Sequence, residues 1–290
     1  MISNKYVIKS LIGKGKFGKV YSGQYKKTEE TVAVKIELSN SPVKLLKNET
    51  SILNYLYHSG CRKIPFVFWY GIYESHPCLI MTHYDMTLYD YAKSEPPIDP
   101  MCTKTIIIKM VHILKSIHDS HIIHRDIKPQ NFMIKHGDLF LVDFGLAAVF
   151  IDGSKIHFPE TAGNTGILGT PKYMSIYLHK GINASRRDDV ISCAYIYLFL
   201  ILGGCLPWEN LPDDKDIRYS QVPSVDGDDT NEEYEENHIF HYKNKERARQ
   251  KSWDNLNSNY KNRDESFLSF LEKVYGIGFY ERPPYENLIS

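Results

Sequence analysis

His124-Arg125-Asp126-Ile127-Lys128-Pro129-Gln130-Asn131 runs into Phe132-Met133-Ile134, then His136-Gly137-Asp138, then Leu139-Phe140-Leu141-Val142, and closes on Asp143-Phe144-Gly145. Two short apolar runs flank a Gly-Asp turn, so the segment predicts an antiparallel β-hairpin. A hairpin brings its two open ends together. Asn131 and Asp143 are therefore expected to lie close, with Asp126 nearby. Oxygen ligands at one strand mouth suit Mg2+, a hard cation that keeps several waters and also takes phosphate oxygens. A carboxylate beside them can orient an incoming hydroxyl and accept its proton. The bland alternative, acids and an amide serving only as turn residues, leaves the matches upstream unexplained.

Upstream, Gly13-x-Gly15-x-x-Gly18-x-Val20 has the three-glycine spacing of phosphate-binding loops. A dinucleotide fold would need a helix directly after the glycines. Val20-Tyr21-Ser22-Gly23 reads instead as a strand, so the glycines form the bend of a hairpin whose N–H groups can close over phosphates. Thr31-Val32-Ala33-Val34-Lys35-Ile36 alternates with period two, placing Val32, Val34 and Ile36 on one face and Ala33 and Lys35 on the other. A small residue beside a lysine leaves room for a flat ring with a phosphate tail. A helix is expected over Pro42–Tyr57, with Leu45, Leu46, Ile52, Leu53 and Leu56 on its apolar face and Glu49 among them. A carboxylate there is costly unless paired, and Lys35 is the obvious partner; an escape to solvent at the edge of the face is the alternative.

The 290 residues exceed what one hydrophobic core usually serves, which predicts two lobes. Strands are expected over Tyr6–Ile12, Val20–Gln24, Thr31–Ile36, Phe66–Tyr70 and Pro77–Met81, and mostly helix after Thr82. The fold class is α+β: a small β-rich lobe with one main helix over about 1–82, a connection over 82–87, and a larger, mainly helical lobe over 88–290. Ile106, Met110, Ile113, Leu114 and Ile117 share one helix face. Thirty-five basic residues balance thirty-five acidic ones, so direct nucleic-acid binding is not expected. Five scattered cysteines without a C-x-x-C pair argue against a disulfide framework or a zinc site and suit a reducing compartment. The start of the chain shows no apolar run of the secretory kind. Val190–Leu206 is 17 residues long and contains Ser192, Gly203 and Gly204; it is shorter than the roughly 20 residues a bilayer span needs and predicts a buried core helix. Residues 212–237 carry ten acids against two bases, a local charge of −8 that leaves +8 on the remainder, and read as a solvated acidic insert.

Taken in order, these motifs resemble the signature set of the eukaryotic protein kinases. The resemblance covers Ile12 to about Trp208 and implies a two-lobed kinase fold that uses ATP and Mg2+. By position, it implies that Ile12, Gly13, Lys14, Gly15, Lys16, Phe17, Gly18, Lys19 and Val20 cover the ATP phosphates, and that Ala33, Met81 and Tyr84 line the adenine pocket, with Thr82–Tyr84 as hinge. Lys35 would hold the α- and β-phosphates and pair with Glu49. Asp126 would be the catalytic base, Lys128 would contact the transferring phosphate as in the serine/threonine-specific branch, and Asn131 and Asp143 would hold Mg2+.

Among kinases the chain most resembles the casein kinase 1 group. Gly169-Thr170-Pro171-Lys172-Tyr173-Met174-Ser175-Ile176 is similar to that group's G-T-A-R-Y-A-S-I, Ser185-Arg186-Arg187-Asp188-Asp189 matches its S-R-R-D-D, and Leu206-Pro207-Trp208 and Phe279–Tyr285 match too. Gln130 replaces the usual acid before Asn131, and Asp85-Met86 replaces the group's G-P. The resemblance implies transfer to Ser or Thr of protein substrates that are acidic or already phosphorylated, with Asp189 bracing the catalytic loop. Lys172 stands where the group has an anion-binding arginine, and Lys243 and Lys245 are the further candidates. A monomer without a membrane span, in nucleus or cytoplasm, is expected, serving a role such as DNA repair, traffic or cell-cycle control. The alternatives are a kinase-shaped scaffold without catalysis, against which the retention of Lys35, Asp126 and Asp143 speaks, and a small-molecule phosphotransferase, which gives no reason for Lys128.

Overall fold

The computed structural model describes residues 2–15, 18–38, 45–94, 98–162, 168–209, 211, 242–260 and 264–289. Lys16, Phe17 and the acidic insert over 212–237 lie outside the described residues.

The N-terminal third is one antiparallel sheet of order β1-β2-β3-β5-β4, from strands β1 (Tyr6–Lys14), β2 (Gly18–Tyr25), β3 (Thr31–Glu37), β4 (Val67–Tyr73) and β5 (His76–Thr82). The alternation in β3 decides how the sheet is used. Val32 and Val34 are buried with Cys78 and Ile80 on one face. Ala33 belongs to the main core on the other, with Leu79 and Met81 of the neighbouring strand. The register Val20↔Lys35 and Ala33↔Met81 sets the glycine-loop strand, Lys35, Ala33 and Met81 over a single face. Helix α1 (Leu45–His58) packs on that face through Leu46, Ile52, Leu53 and Leu56. Its first turn is capped from the sheet: the Glu37 carboxylate accepts the N–H groups of Leu45 at 2.7 Å and Leu46 at 3.2 Å.

After β5 the chain is mainly helical. A two-residue strand β6 (Met86–Thr87) pairs with β8, and helices α2 (Leu88–Ser94) and α3 (Pro100–Asp119) follow. Helix α3 starts sharply because Asp99 accepts the Cys102 N–H at 2.9 Å and Pro100 takes the first helical position. Strand β7 (Ile122–Ile123) precedes the hairpin of β8 (Phe132–Lys135) and β9 (Asp138–Leu141), and β10 (Ala148–Val149) returns to pair with β7. The apolar stretch Val190–Leu206, expected as a buried core helix, is helix α5, which spans Arg186–Ile201. It starts earlier than the hydrophobic run because Asp188 accepts the Ser185 N–H at 2.8 Å together with the Ser185 and Ser175 hydroxyls. It stops earlier because Gly203 and Gly204 have φ of +69° and +90°. Every residue from Arg187 to Leu200 is buried, as a helix apolar on all sides must be. Helices α4 (Ile176–His179), α6 (Trp253–Tyr260) and α7 (Glu265–Tyr275), with a helical stretch over 242–250, complete the region. All five cysteines are free, and no helix among the described residues is long and apolar enough to cross a membrane.

Candidate active site

A cleft of about 470 Å3 opens between the β-sheet face and the β8–β9 hairpin. Ile12, Gly13, Gly15, Gly18, Val20, Ala33, Lys35, Glu49, Met81, Tyr84, Asp126, Lys128, Asn131 and Asp143 all line it. Lys14 and Lys19 stand on the paired arms of the glycine hairpin, opposite each other, and are not among the lining residues. Gly18 must be glycine, since a Cβ there would lie 2.5 Å from the Ile36 carbonyl. A separate cavity of about 200 Å3, against Cys61, Ile113 and Leu139, contains none of the candidate residues.

Charge in the cleft is organised around Lys35. Its Nζ lies 2.7 Å from Glu49 Oε2 and 2.8 Å from Asp143 Oδ1. Glu49 is fully buried on the apolar face of α1; the ion pair offsets part of the cost read in the sequence, while burial still holds its carboxyl above the ordinary range and Oε1 is left without a hydrogen-bond partner. Burial disfavours the Lys35 ammonium, but the two carboxylates outweigh it and raise its pKa above the usual lysine value. Burial likewise works against the Asp143 carboxylate, and Lys35 reverses the effect by charge and hydrogen bond, holding that carboxyl below its ordinary range. About 45% of the Asp143 side chain faces the open cleft, so this charge is both ion-paired and available. Asp143 itself sits at φ 66°, a left-handed conformation that short polar side chains tolerate.

Opposite lies Asp126. Its Oδ2 is 2.6 Å from Lys128 Nζ, and its Oδ1 accepts the Thr170 hydroxyl at 2.7 Å, while Lys128 Nζ also reaches Thr170 Oγ1 at 3.0 Å. Asn131 donates its amide N–H to the Asp126 carbonyl at 2.8 Å and to Asp126 Oδ2 at 3.2 Å. Both partners are acceptors, which fixes the amide orientation and leaves the side-chain Oδ1 of Asn131 for another ligand. The hairpin holds the two ends in register, with Phe132 opposite Leu141 and the Val142 N–H bonded to the Asn131 carbonyl at 2.9 Å. Among the described residues no group of three or more His, Cys, Asp or Glu could hold a metal alone. A carboxylate and an amide oxygen are nonetheless an all-oxygen donor pair, which fits a dication completed by water and phosphate.

The loop carrying Asp126 is held from below by Asp189, the second residue of the acidic pair. Its Oδ2 accepts the His124 N–H at 2.7 Å, its Oδ1 accepts the Arg125 N–H at 2.9 Å, and His118 Nε2 donates to it at 2.9 Å. Burial opposes this carboxylate too, and the His118 hydrogen bond and the neighbouring imidazoles keep its pKa below the usual range. Arg125 is thereby fixed at φ 68°, a conformation costly for a long side chain. Buried His124 is neutral: burial lowers its pKa, its Nε2–H reaches the Val142 carbonyl at 3.1 Å, and its Nδ1 accepts the Asp126 N–H at 3.3 Å. Gly169, at φ +105°, brings the following segment so close that a Cβ would sit 2.6 Å from the Arg125 carbonyl.

Several contributors escaped the sequence reading. Thr170 stood inside a quoted segment with no role assigned. Asn48, one position before Glu49, donates to the carbonyls of Gly145 and Ala147 at 3.1 Å each, tying α1 to the turn after Asp143. Lys251, completely buried, donates to the carbonyls of Pro171 at 3.0 Å and Met174 at 2.7 Å. The anion candidates are not gathered in the cleft. Lys172 pairs with Glu209 at 2.5 Å, while Lys243 and Lys245 stand on the helical stretch 242–250, the latter exposed.

The comparisons with known proteins accord with this geometry. A probable casein kinase I homolog of Encephalitozoon cuniculi is 39% identical over 209 residues, which is 70% of this chain and 64% of that relative, so the match spans less than two thirds of the relative's length. The family model for the protein kinase domain matches residues 6–290, and the chain belongs to the protein kinase family.

Proposed function

We propose that the protein transfers the γ-phosphoryl group of ATP to serine or threonine hydroxyls of protein substrates, in the manner of casein kinase 1. The observation that carries the reading is the Asp126 carboxylate held by both Lys128 and Thr170, in the same cleft as the Lys35–Glu49–Asp143 cluster. In this reading the residues up to about 82 and from about 88 onward form two lobes, with 82–87 as hinge. The glycine hairpin covers the phosphates, and Ala33, Met81 and Tyr84 bound the adenine. Lys35 orients the α- and β-phosphates, its own position set by buried Glu49.

Asp126 orients the incoming hydroxyl and accepts its proton late in the transfer. Lys128, already on Asp126 and Thr170, places positive charge where the phosphoryl group passes. Asp143 and Asn131 would hold Mg2+, which neutralises phosphate charge when bound. Catalysis is mostly positioning and charge stabilisation, since phosphoryl transfer asks little covalent chemistry of the protein. Lys172 is the residue that would meet an acidic or phosphorylated group near the target hydroxyl, once its own ion pair with Glu209 opens.

Asp126→Asn tests the reading. ATP binding should persist and turnover should drop by about two to four orders of magnitude. Radiolabelled transfer to casein, followed by phosphoamino-acid analysis, measures it; label at wild-type rate in the variant removes Asp126 from the mechanism, and label on tyrosine alone removes the substrate class.

A further inference from the structure

Lys172 is the residue on which anion recognition depends in this reading, and its charge is already answered. Its Nζ lies 2.5 Å from Glu209 Oε1, with both side chains about one quarter exposed. The ammonium also sits over the Tyr173 ring at 5.3 Å and the Phe199 ring at 5.2 Å. Glu209 is not a wandering surface acid. Its Oε1 accepts the Leu206 N–H at 2.6 Å, and the turn that carries it, Pro207–Glu209, is anchored by Trp208, whose indole N–H donates to the Lys172 carbonyl at 2.7 Å. One short turn thus grips Lys172 by its backbone and by its side chain.

Among the described residues, the nearest other ammonium does not replace it. Lys251 lies over the same Trp208 ring, but its Nζ is fully buried and directed to the carbonyls of Pro171 and Met174 and to His179 Nε2. An anion arriving beside Thr170–Tyr173 therefore meets a neutral Lys–Glu pair. To reach the ammonium it must displace a tethered carboxylate of the same chemical kind as itself.

We infer that Glu209 sets the charge selectivity of this kinase: it occupies Lys172 as a built-in competitor, and an anionic substrate group binds there only by displacing it. The inference rests on the proposed anion-reading role of Lys172 and adds a consequence particular to this chain. Substrates carrying a phosphate beside the target hydroxyl gain little over their unphosphorylated counterparts, and the loss of one carboxylate restores the gain.

The experiment measures a serine peptide with and without a nearby phosphoserine on wild type, Glu209→Gln, Lys172→Ala and the double variant. Direct binding is read by fluorescence anisotropy and kcat/KM by transfer. Gln keeps an acceptor for the Leu206 N–H, so the turn is retained while the charge is lost. The phosphorylated-to-unphosphorylated affinity ratio should be near one in wild type, rise about fivefold or more in Glu209→Gln, and fall back in the double variant. A ratio in Glu209→Gln equal to wild type overturns the inference, as does a rise that survives in the double variant. If Lys172→Ala alone already collapses a high wild-type ratio, Lys172 reads anions without competition and the gate is wrong. Wild type that binds these peptides but transfers no phosphate would sink the proposed function, while the anisotropy ratios would still decide the role of Glu209.

Discussion

Asp189→Asn is the most informative single change away from the cleft lining. The carboxylate is buried and its two oxygens accept three hydrogen bonds, from His124 N, Arg125 N and His118 Nε2, at 2.7, 2.9 and 2.9 Å. Hydrogen bonds to a charged group each contribute about 1.5–3 kcal/mol. Asparagine offers one acceptor oxygen. Turned to keep His124 and His118, it sets its NH2 against the Arg125 N–H; turned the other way, it sets it against two donors. The better orientation still loses one charge-assisted bond and leaves one buried N–H facing another, about 3 kcal/mol in total. For a chain of this size that is a fall of about 6–12 °C in Tm. The Arg125 backbone, released at its N–H, relaxes from its left-handed conformation and carries Asp126 with it, and kcat falls about tenfold or more. The Lys35–Glu49–Asp143 cluster is untouched, so the KM for ATP changes little. Scanning calorimetry and steady-state transfer to casein measure both parts. A variant that melts within about 2 °C of wild type with unchanged kcat refutes the bracing argument.

Two further outcomes follow from buried groups. His179 has its pKa pushed down to about 3 by burial, with Lys251 and Arg247 adding to the effect. Because its folded pKa lies below the unfolded value near 6.5, the unfolded chain takes up a proton that the folded protein refuses; stability is full above about pH 6.5 and falls with acidification toward pH 3, by about 1.4 kcal/mol per unit for this one group. His124 is lowered by burial in the same direction, so His179→Gln should remove about one proton from the slope of stability against pH between 6 and 4 and leave the rest; a slope identical to wild type contradicts the assignment. Asn48→Ala removes two bonds between α1 and the turn after Asp143, and should cost about 1–2 kcal/mol of stability and weaken ATP binding severalfold by loosening Glu49. Nucleotide titration calorimetry with unaltered affinity would show that the tie serves stability alone.

Local periodicity and turn chemistry were enough for the elements that follow from neighbours in the chain. Period two in Thr31–Ile36 separates Val32 and Val34 from Ala33 and Lys35; in the folded sheet Val32 and Val34 bury in one core, Ala33 in the other, and Lys35 lines the cleft. Helical spacing put Glu49 on the apolar face of α1, and it is there, buried against Lys35. Boundaries were less legible wherever a cap rather than hydrophobicity decides them. Helix α5 begins at Arg186 because of Asp188, and the two-residue strands β6, β7 and β10 exist only because a partner strand stands beside them.

What the amino-acid order determined alone was the kinase signature itself: residue types at fixed spacings, joined by a hairpin short enough that its two ends have to meet. What only the tertiary structure decided were pairings between side chains distant in the chain. Asp189 bonds His118 across 71 positions, and His118 in turn lies 2.6 Å from the Tyr285 hydroxyl across 167. Lys172, a free cation when read along the chain, is met by Glu209. The physical reason is that a charge's partner is set by distance in space, and no periodicity in the sequence encodes which of many carboxylates a folded chain will bring within 3 Å of a given ammonium.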